Sequence, residues 1–487
     1  MADIRIPKCM STQHPDNVSM PFFAENSELG GEDEIQEAYY AFSHLGCDEQ
    51  MWDCEGKEVD SYVIKKLLAK YNTFFSQKRL GKDVFVTLRV PNPTIEKAEA
   101  KVLLETLESI PRSYDAARLF YGDDIPPIFE VILPMVTSAS CVDRVYRYYR
   151  DFVVGKKNTA FRKGDITIAE WIGDFKPETI NVIPLFEDAE HMLNAHKILG
   201  EYLKDKDVPC QRVFLARSDP AMNYGLISAV LLNKIALQRL QRMSKKMGLT
   251  LYPIIGLGSA PFRGNLKPQN VDTITAEYPN VHTFTIQSAF KYDNPPDVVR
   301  KAVEKLQKRH VGLAQEVNEK KCLEIIDKYS SEYQQQVEVL APFINRIARH
   351  IPSRRKRKLH IGLFGYSRSM AGISLPRAIS FTAALYSLGL PPEILGLNAL
   401  NDDDIRFLKK VYINFDENMR DALKFLNREC DFLPDGLLSR VDAIFGDYET
   451  DAEHKEITDS VINYIKTGSG NPGEQVLRAA SLRKFLG

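Results

Sequence analysis

Neither sign of charge prevails in this sequence: 64 lysines and arginines stand against 65 aspartates and glutamates over 487 residues. The molecule as a whole therefore lacks the field that draws a protein to nucleic acid or to an anionic membrane, and a small-molecule partner fits better. Cysteine is scarce and scattered. Cys9, Cys47, Cys54, Cys141, Cys210, Cys322 and Cys430 form no C-x-x-C pair, which excludes the common zinc and dithiol redox motifs and leaves reduced thiols. Long apolar runs are missing too: the N-terminus has no apolar signal core, and the stretch "YGLISAVLLNKIAL" is interrupted by Asn233 and Lys234. It is too short to span a bilayer. The expectation is a cytoplasmic protein with no membrane or nucleic-acid partner.

What is present is a rhythm. Short runs rich in Val, Ile and Phe are followed by Gly- or Pro-containing segments and then by stretches of helical period. Strands are predicted at "CDEQMWDCE", "DVFVTLRVP", "PIFEVILPM", "INVIPLFED", "CQRVFLARSD", "LTLYPIIGLG", "VHTFTIQSA" and "KLHIGLFGYS", with helices such as Ile95 to Ser109, Asp188 to Leu203 and Tyr224 to Lys246 between them. Eight such units close into an α/β (β/α)8 barrel, a TIM barrel. The first strand is the least regular, because its acidic residues break the apolar run. The chain reads as one barrel domain, 1–487, with helical additions at about 295–350, before the last strand, and at about 401–487. The basic cluster "SRRKRK" has no interleaved aromatics and is expected to be a solvated connection.

In such a barrel, chemistry collects where strands end and βα loops begin. The predicted strand ends carry, in order, Arg89, Glu187, Arg217 with Ser218 and Asp219, the loop "GSAPFRGN" with Arg263, Gln287 followed by Lys291, and finally Arg368. Glu187 and Asp219 come from consecutive strands, so their carboxylates can converge on one hard cation such as Mg2+ while water and substrate fill its other positions. The arginines imply an anionic substrate, since a guanidinium fork matches carboxylate and phosphate. Glycines in "GLGSAPFRGN" allow backbone amides close to a phosphate. Near the N-terminus, "MSTQHPDN" sets His14 before a proline, on a loop, where no amphipathic face accounts for it. A phosphorylated carboxylic acid fits this set.

The segments "STQHPDN", "VIPLFED", "LARSDPAMNYG", "GSAPFRGN" and "GNPGEQVLRAASLRKFLG" resemble the short archaeal-type phosphoenolpyruvate carboxylases, over essentially the whole chain. The resemblance implies a TIM barrel, Mg2+ or Mn2+, a homotetramer, and carboxylation of phosphoenolpyruvate by bicarbonate to oxaloacetate and phosphate. It makes His14 the catalytic histidine, Glu187 and Asp219 the metal ligands, Arg263 the arginine of the glycine-rich loop and Arg89 a strand-end arginine of the pocket; Arg368 and Arg377 also fall near it. Relative to the longer bacterial and plant enzymes, Met222 replaces a lysine and the glycine loop carries one arginine in place of two. Arg217 or Lys291 would then make the bicarbonate contacts. "MVTSASCVDRV" also resembles a family segment, in which Ser138 and Ser140 are read as helix caps.

The implied mechanism runs through carboxyphosphate and a metal-bound enolate, with His14 on a mobile loop taking the proton of carboxyphosphate. Two other readings stay open at this point. One is a different magnesium-dependent enolpyruvate-type lyase or aldolase on the same barrel, which would not need bicarbonate. The other is a non-catalytic barrel that binds an anionic metabolite.

Overall fold

The structure, a computed structural model, describes residues 5–54, 60–97, 100–356, 369–370 and 373–487. Eight parallel strands close a barrel in chain order: β1 (Cys9–Ser11), β2 (Glu49–Asp53), β3 (Phe85–Arg89), β4 (Glu130–Leu133), β5 (Asn181–Phe186), β6 (Cys210–Ala216), β7 (Thr250–Gly256) and β8 (Thr283–Ile286). The ring shuts where Cys9, Met10 and Ser11 pair with Phe284, Thr285 and Ile286. The expected barrel is present, but its strands are displaced by one place from the sequence reading. β1 is the tripeptide "CMS", too short to show any period, and "CDEQMWDCE" holds the second strand. The ring is complete without "KLHIGLFGYS", whose residues 358–367 lie outside the described residues. The helices of 295–350 therefore follow the last barrel strand: Pro296–Lys308 is the helix after β8, and Glu319–Ala348 begins the addition.

The acidic residues that break the period of β2 have a use inside the barrel. Near the foot, Arg212 of β6 donates to both Glu49 oxygens at 2.8 and 2.7 Å and to Glu130 of β4 at 3.0 Å. All three are buried. A charge removed from water must be paired and hydrogen-bonded to be tolerated, and this trio satisfies that condition. Toward the mouth the filling turns apolar, with Met10, Met51, Ile132, Ile183, Leu185, Phe214 and Ile254 in one cluster.

Of the sequence-read helices, the first runs later than expected, over Ala100–Tyr121, while Ala189–Tyr202 and Leu226–Met247 lie close to expectation. Leu226–Met247 carries the most apolar stretch of the chain, and its two polar interruptions are bonded internally. Asn233 donates to the carbonyls of Ala216 and Ala229, and Lys234 pairs with buried Glu277 and donates to Gln315. Among the described residues no single helix is long and apolar enough to cross a membrane. The added helices Glu319–Ala348, Ala378–Ser387 and those from Asp402 to Arg483 share a second core, built on Phe381, Leu385, Leu408, Phe415, Val461 and Val476.

The basic cluster, expected as a solvated connection, has two buried members among the described residues, while residues 357–358 lie outside them. Arg354 donates to the carbonyls of Asn17 and Val18, and Arg355, 3% exposed, donates to Glu34 and, through one nitrogen, to both oxygens of Glu37 at 3.0 and 2.9 Å. Arg355 thus serves as the buried partner for two acids of the helix Glu32–Ser43, while Arg354 ties down the backbone after His14. A charge run alone carries no sign of such partners.

Candidate active site

At the C-terminal mouth of the barrel a cavity of about 120 Å³ is lined by His14, Arg89, Glu187, Arg217, Ser218, Asp219, Arg263, Gln287 and Arg377, with Gln13, Asp53 and Thr285 beside them. Of the ten residues singled out from sequence, eight meet here. The ninth, Arg368, lies outside the described residues. The tenth, Lys291, is fully buried elsewhere: its ammonium donates to Ser11 Oγ at 3.1 Å, to the Thr12 carbonyl at 2.9 Å and to Glu37 at 3.1 Å. Its place is structural, in the same network as Arg355, and it is no candidate for substrate. It lies too close to Gln287 in sequence for spacing to separate the two.

His14 follows β1 directly, which is why it reaches the mouth. The loop is anchored rather than hanging free. Thr12 N–H donates to the Ile286 carbonyl, and the His14 carbonyl accepts from Asp16 and Ser288 N–H groups. Fully buried Asp16 is the central tie, accepting from Ala289 N–H at 2.7 Å, Ser259 N–H at 3.4 Å and Arg263 at 3.3 Å. Burial pushes its carboxyl above the ordinary value while Arg263 pulls it back. The imidazole itself contacts Thr12 through Nδ1 at 3.0 Å. These bonds hold the loop in the present conformation, and Asp16, which sits in the quoted motif, is the residue whose place the sequence reading missed.

Arg263 lies in the turn after β7 and is 1% exposed. Its Nε donates to Ser218 Oγ at 3.1 Å, one terminal nitrogen to Asp16 and the Gly487 carbonyl, and the other to Gln287. The glycines here are not empty cradles. A Cβ on Gly258 would lie 2.9 Å from the Arg263 guanidinium carbon, and one on Gly264, whose φ is +127°, would lie 2.6 Å from Leu257. Glycine at 258 makes room for the arginine to fold back over its own turn. Arg217, just after β6, sends its guanidinium to the Phe262 carbonyl at 3.3 Å, so it supports this turn from behind.

Arg89 closes β3 and forms a two-pronged pair with Asp53 at the end of β2, at 3.0 and 2.7 Å. That partner, too, sits in the acidic strand that sequence period obscured. Glu187 follows β5 and accepts from Met135 N–H at 2.8 Å. Met135 holds a φ of +50°, uncommon for a side chain with a Cβ, and its strained backbone fixes the direction of that carboxylate. Asp219 opens the short helix Ser218–Tyr224 after β6. Ser138 does precede a helix, Ala139–Arg147, but its hydroxyl does not cap it; it meets Ser140 Oγ and the Cys141 thiol at 3.0 and 3.1 Å.

Two carboxylates from neighbouring strands at one polar opening suit a hard divalent ion that keeps water or substrate in its remaining positions. Among the described residues there is no group of three or more His, Cys, Asp or Glu that could hold a metal by themselves. The donor set fits a hard divalent cation with open positions.

Comparison with known proteins extends this geometry. A family described as phosphoenolpyruvate carboxylase matches residues 6–487. A relative named phosphoenolpyruvate carboxylase from Methanothermobacter thermautotrophicus is 59% identical over 488 residues, spanning 99% of this chain and all of the relative. Those of the same name from Methanospirillum hungatei and Pyrococcus abyssi are 54% and 52% identical, again over 99% of this chain and all of their own length.

Proposed function

The chain belongs to the phosphoenolpyruvate carboxylase family, and from that premise we propose that the mouth cavity is where its reaction takes place, with His14, Arg89, Arg263, Glu187 and Asp219 as its working groups. The protein carboxylates phosphoenolpyruvate with bicarbonate, giving oxaloacetate and phosphate. The observation that carries the site is the convergence of these five side chains, from five different strand ends, on one opening.

Glu187 and Asp219 would hold the divalent cation, Mg2+ or Mn2+. When bound, that ion supplies Lewis-acid stabilisation of oxygen atoms that gain negative charge. Arg263 and Arg89, each pre-oriented by carboxylate or amide partners, present guanidinium groups to the phosphate and carboxylate of the substrate, with Arg377 at the rim. Fixed donors aimed at developing charge need no reorganisation during the reaction. Bicarbonate oxygen attacks phosphorus, the bond from phosphorus to the enol oxygen breaks, and carboxyphosphate and the enolate of pyruvate result. His14 then takes the carboxyl proton of carboxyphosphate, which splits into carbon dioxide and phosphate. The enolate carbon captures the carbon dioxide. An imidazole titrates close to neutrality and suits that transfer. With Lys291 buried in an ion pair, the bicarbonate contacts fall to the groups of the cavity itself.

We further propose a homotetramer, as the resemblance to the archaeal-type enzymes implies, in the cytoplasm. The test of the site assignment follows phosphate, pyruvate and oxaloacetate in one time course, with bicarbonate present and absent. His14→Asn is expected to release phosphate and pyruvate in a bicarbonate-dependent manner, with oxaloacetate lowered by about a hundredfold or more. Oxaloacetate and phosphate that stay in step in this variant overturn the role. Glu187→Gln and Asp219→Asn should each lower turnover by several orders of magnitude while the fold persists, because a hard cation loses a charged oxygen ligand; near-normal rates at saturating magnesium would remove the ligand assignment.

A further inference from the structure

The opposite end of the barrel carries a second cavity that the reaction does not use. Its volume is about 540 Å³, and it opens among the segment before β1, the start of β7, the residue before β8 and the end of the helix Pro296–Lys308. Five basic side chains line it: Lys8, His282, Lys308, Arg309 and His310. No acid does. Tyr252 forms one wall, its ring edge-on to His282 at 4.6 Å between centroids, and Leu251 and Val311 add apolar surface.

Among the described residues the acids near this charge are few and already engaged. Asp48 is shared by Arg5 at 3.2 Å, the Lys8 backbone N–H at 3.1 Å and Gln307 at 2.7 Å. Arg309 spends one terminal nitrogen on the carbonyls of Val281 and His282, while its buried Nε has no partner. The Lys8 ammonium donates to the Arg309 carbonyl at 2.9 Å. Burial and then the Arg309 charge lower the Lys8 ammonium from its ordinary value. Burial, with smaller contributions from Arg212, Arg309 and Lys8, holds His282 down to about 4, against the upward pull of the contact between its Nε2 and the Ile6 carbonyl at 3.2 Å. Glu304 offers only an exposed contact to Lys308.

We propose that this cavity at the foot of the barrel binds a small phosphate-bearing molecule, the dianionic phosphate among Lys8, Lys308, Arg309 and His310 and an apolar or aromatic body against Tyr252 and Leu251. A dianion supplies counter-charge beyond the exposed Glu304 and the shared Asp48, and the space exceeds what a bare ion needs. The Lys8 and Arg309 charges oppose one another, and an anion between them relieves that repulsion. Binding also favours the protonated form of His282, so the ligand and a proton assist each other by linkage.

The test uses the full chain with histidines labelled for NMR at pH 7.5, the His282 signal being assigned by His282→Gln. Inorganic phosphate, phenyl phosphate and succinate are titrated in turn. Expected are saturable shifts of His282 with both phosphates at millimolar concentration or below, tighter for phenyl phosphate, and none with succinate. The pair Lys308→Gln and His310→Gln, both exposed positions whose loss spares the fold, should weaken phosphate binding by roughly tenfold or more. Asp219→Asn at the distant mouth should leave it unchanged. An unmoved His282 signal, equal shifts with succinate, or phosphate binding that the Lys308/His310 pair does not alter would each overturn the proposal.

Discussion

Glu393 takes its carboxyl into the interior beneath the turn that carries Arg263. One oxygen accepts from Phe262 N–H at 2.5 Å and Tyr386 OH at 2.7 Å, and the other has no partner. Burial pushes this carboxyl up to about 7 from an ordinary value of 4.5, against smaller pulls from Tyr386, its own backbone, Phe262 and Lys267. Because the folded value is the higher one, the folded chain holds a proton that the unfolded chain releases. The contribution to stability is therefore full below about 4.5 and is lost as pH rises through 7. Glu393→Gln removes the titration while keeping an acceptor for Phe262 N–H. Denaturant midpoints for the two proteins should diverge between pH 5 and 8 in favour of the variant, by an amount on the order of a few kcal/mol. Parallel curves would show that the carboxyl ionises as easily inside as outside.

At the scale of an element, the turn Gly258–Asn265 depends on a fit between one glycine and one arginine. Gly258→Ala places a methyl 2.9 Å from the guanidinium carbon and one terminal nitrogen of Arg263, so the arginine must leave its contacts with Ser218, Gln287 and Asp16 or the turn must open. The expected result is a fall in kcat of about a hundredfold for a displacement near 1 Å, with secondary structure kept, as circular dichroism and steady-state kinetics would report. Unchanged kinetics would mean that Arg263 is not held by this turn. The same element shows what sequence reveals and what it hides. The strand-end residues Arg89, Glu187, Asp219, Arg263 and Gln287 were legible because strands seven or fewer residues long end abruptly in polar groups. β1 was not, because three residues have no period; β2 was legible as a strand, though as the first and least regular one, because Glu49 and Asp53 face the barrel's own arginines and so look polar. Lys291 and Arg355 read as exposed or substrate-facing charges until Glu37, more than 250 positions away in sequence, is seen between them. Pairings of that range depend on closure of the ring and leave no local mark.

For the whole molecule, the question is whether barrel and helical addition stand as separate units. The helix Leu226–Met247 argues that they do not. Its Leu232, Ala236, Leu237 and Leu240 belong to the large core around the barrel, while its Leu226, Ile227, Val230, Leu231 and Ile235 belong to the core of the added helices. Phe262, from the Arg263 turn, sits in that second core as well, stacked near Tyr333 and tilted against Phe381. Neither core can lose its packing without exposing apolar surface of the other, at roughly 25 cal/mol per Å². Barrel and addition should therefore melt in one calorimetric transition, and loss of carboxylation should track it rather than precede it. Leu231→Ala is the probe from the addition side: a buried leucine truncated to alanine costs about 2–5 kcal/mol, and if the cores are coupled, near-ultraviolet signals from both parts move down together. A first transition confined to the added helices, with the barrel's tyrosines unaffected and the mouth still binding magnesium, would divide the chain into two bodies.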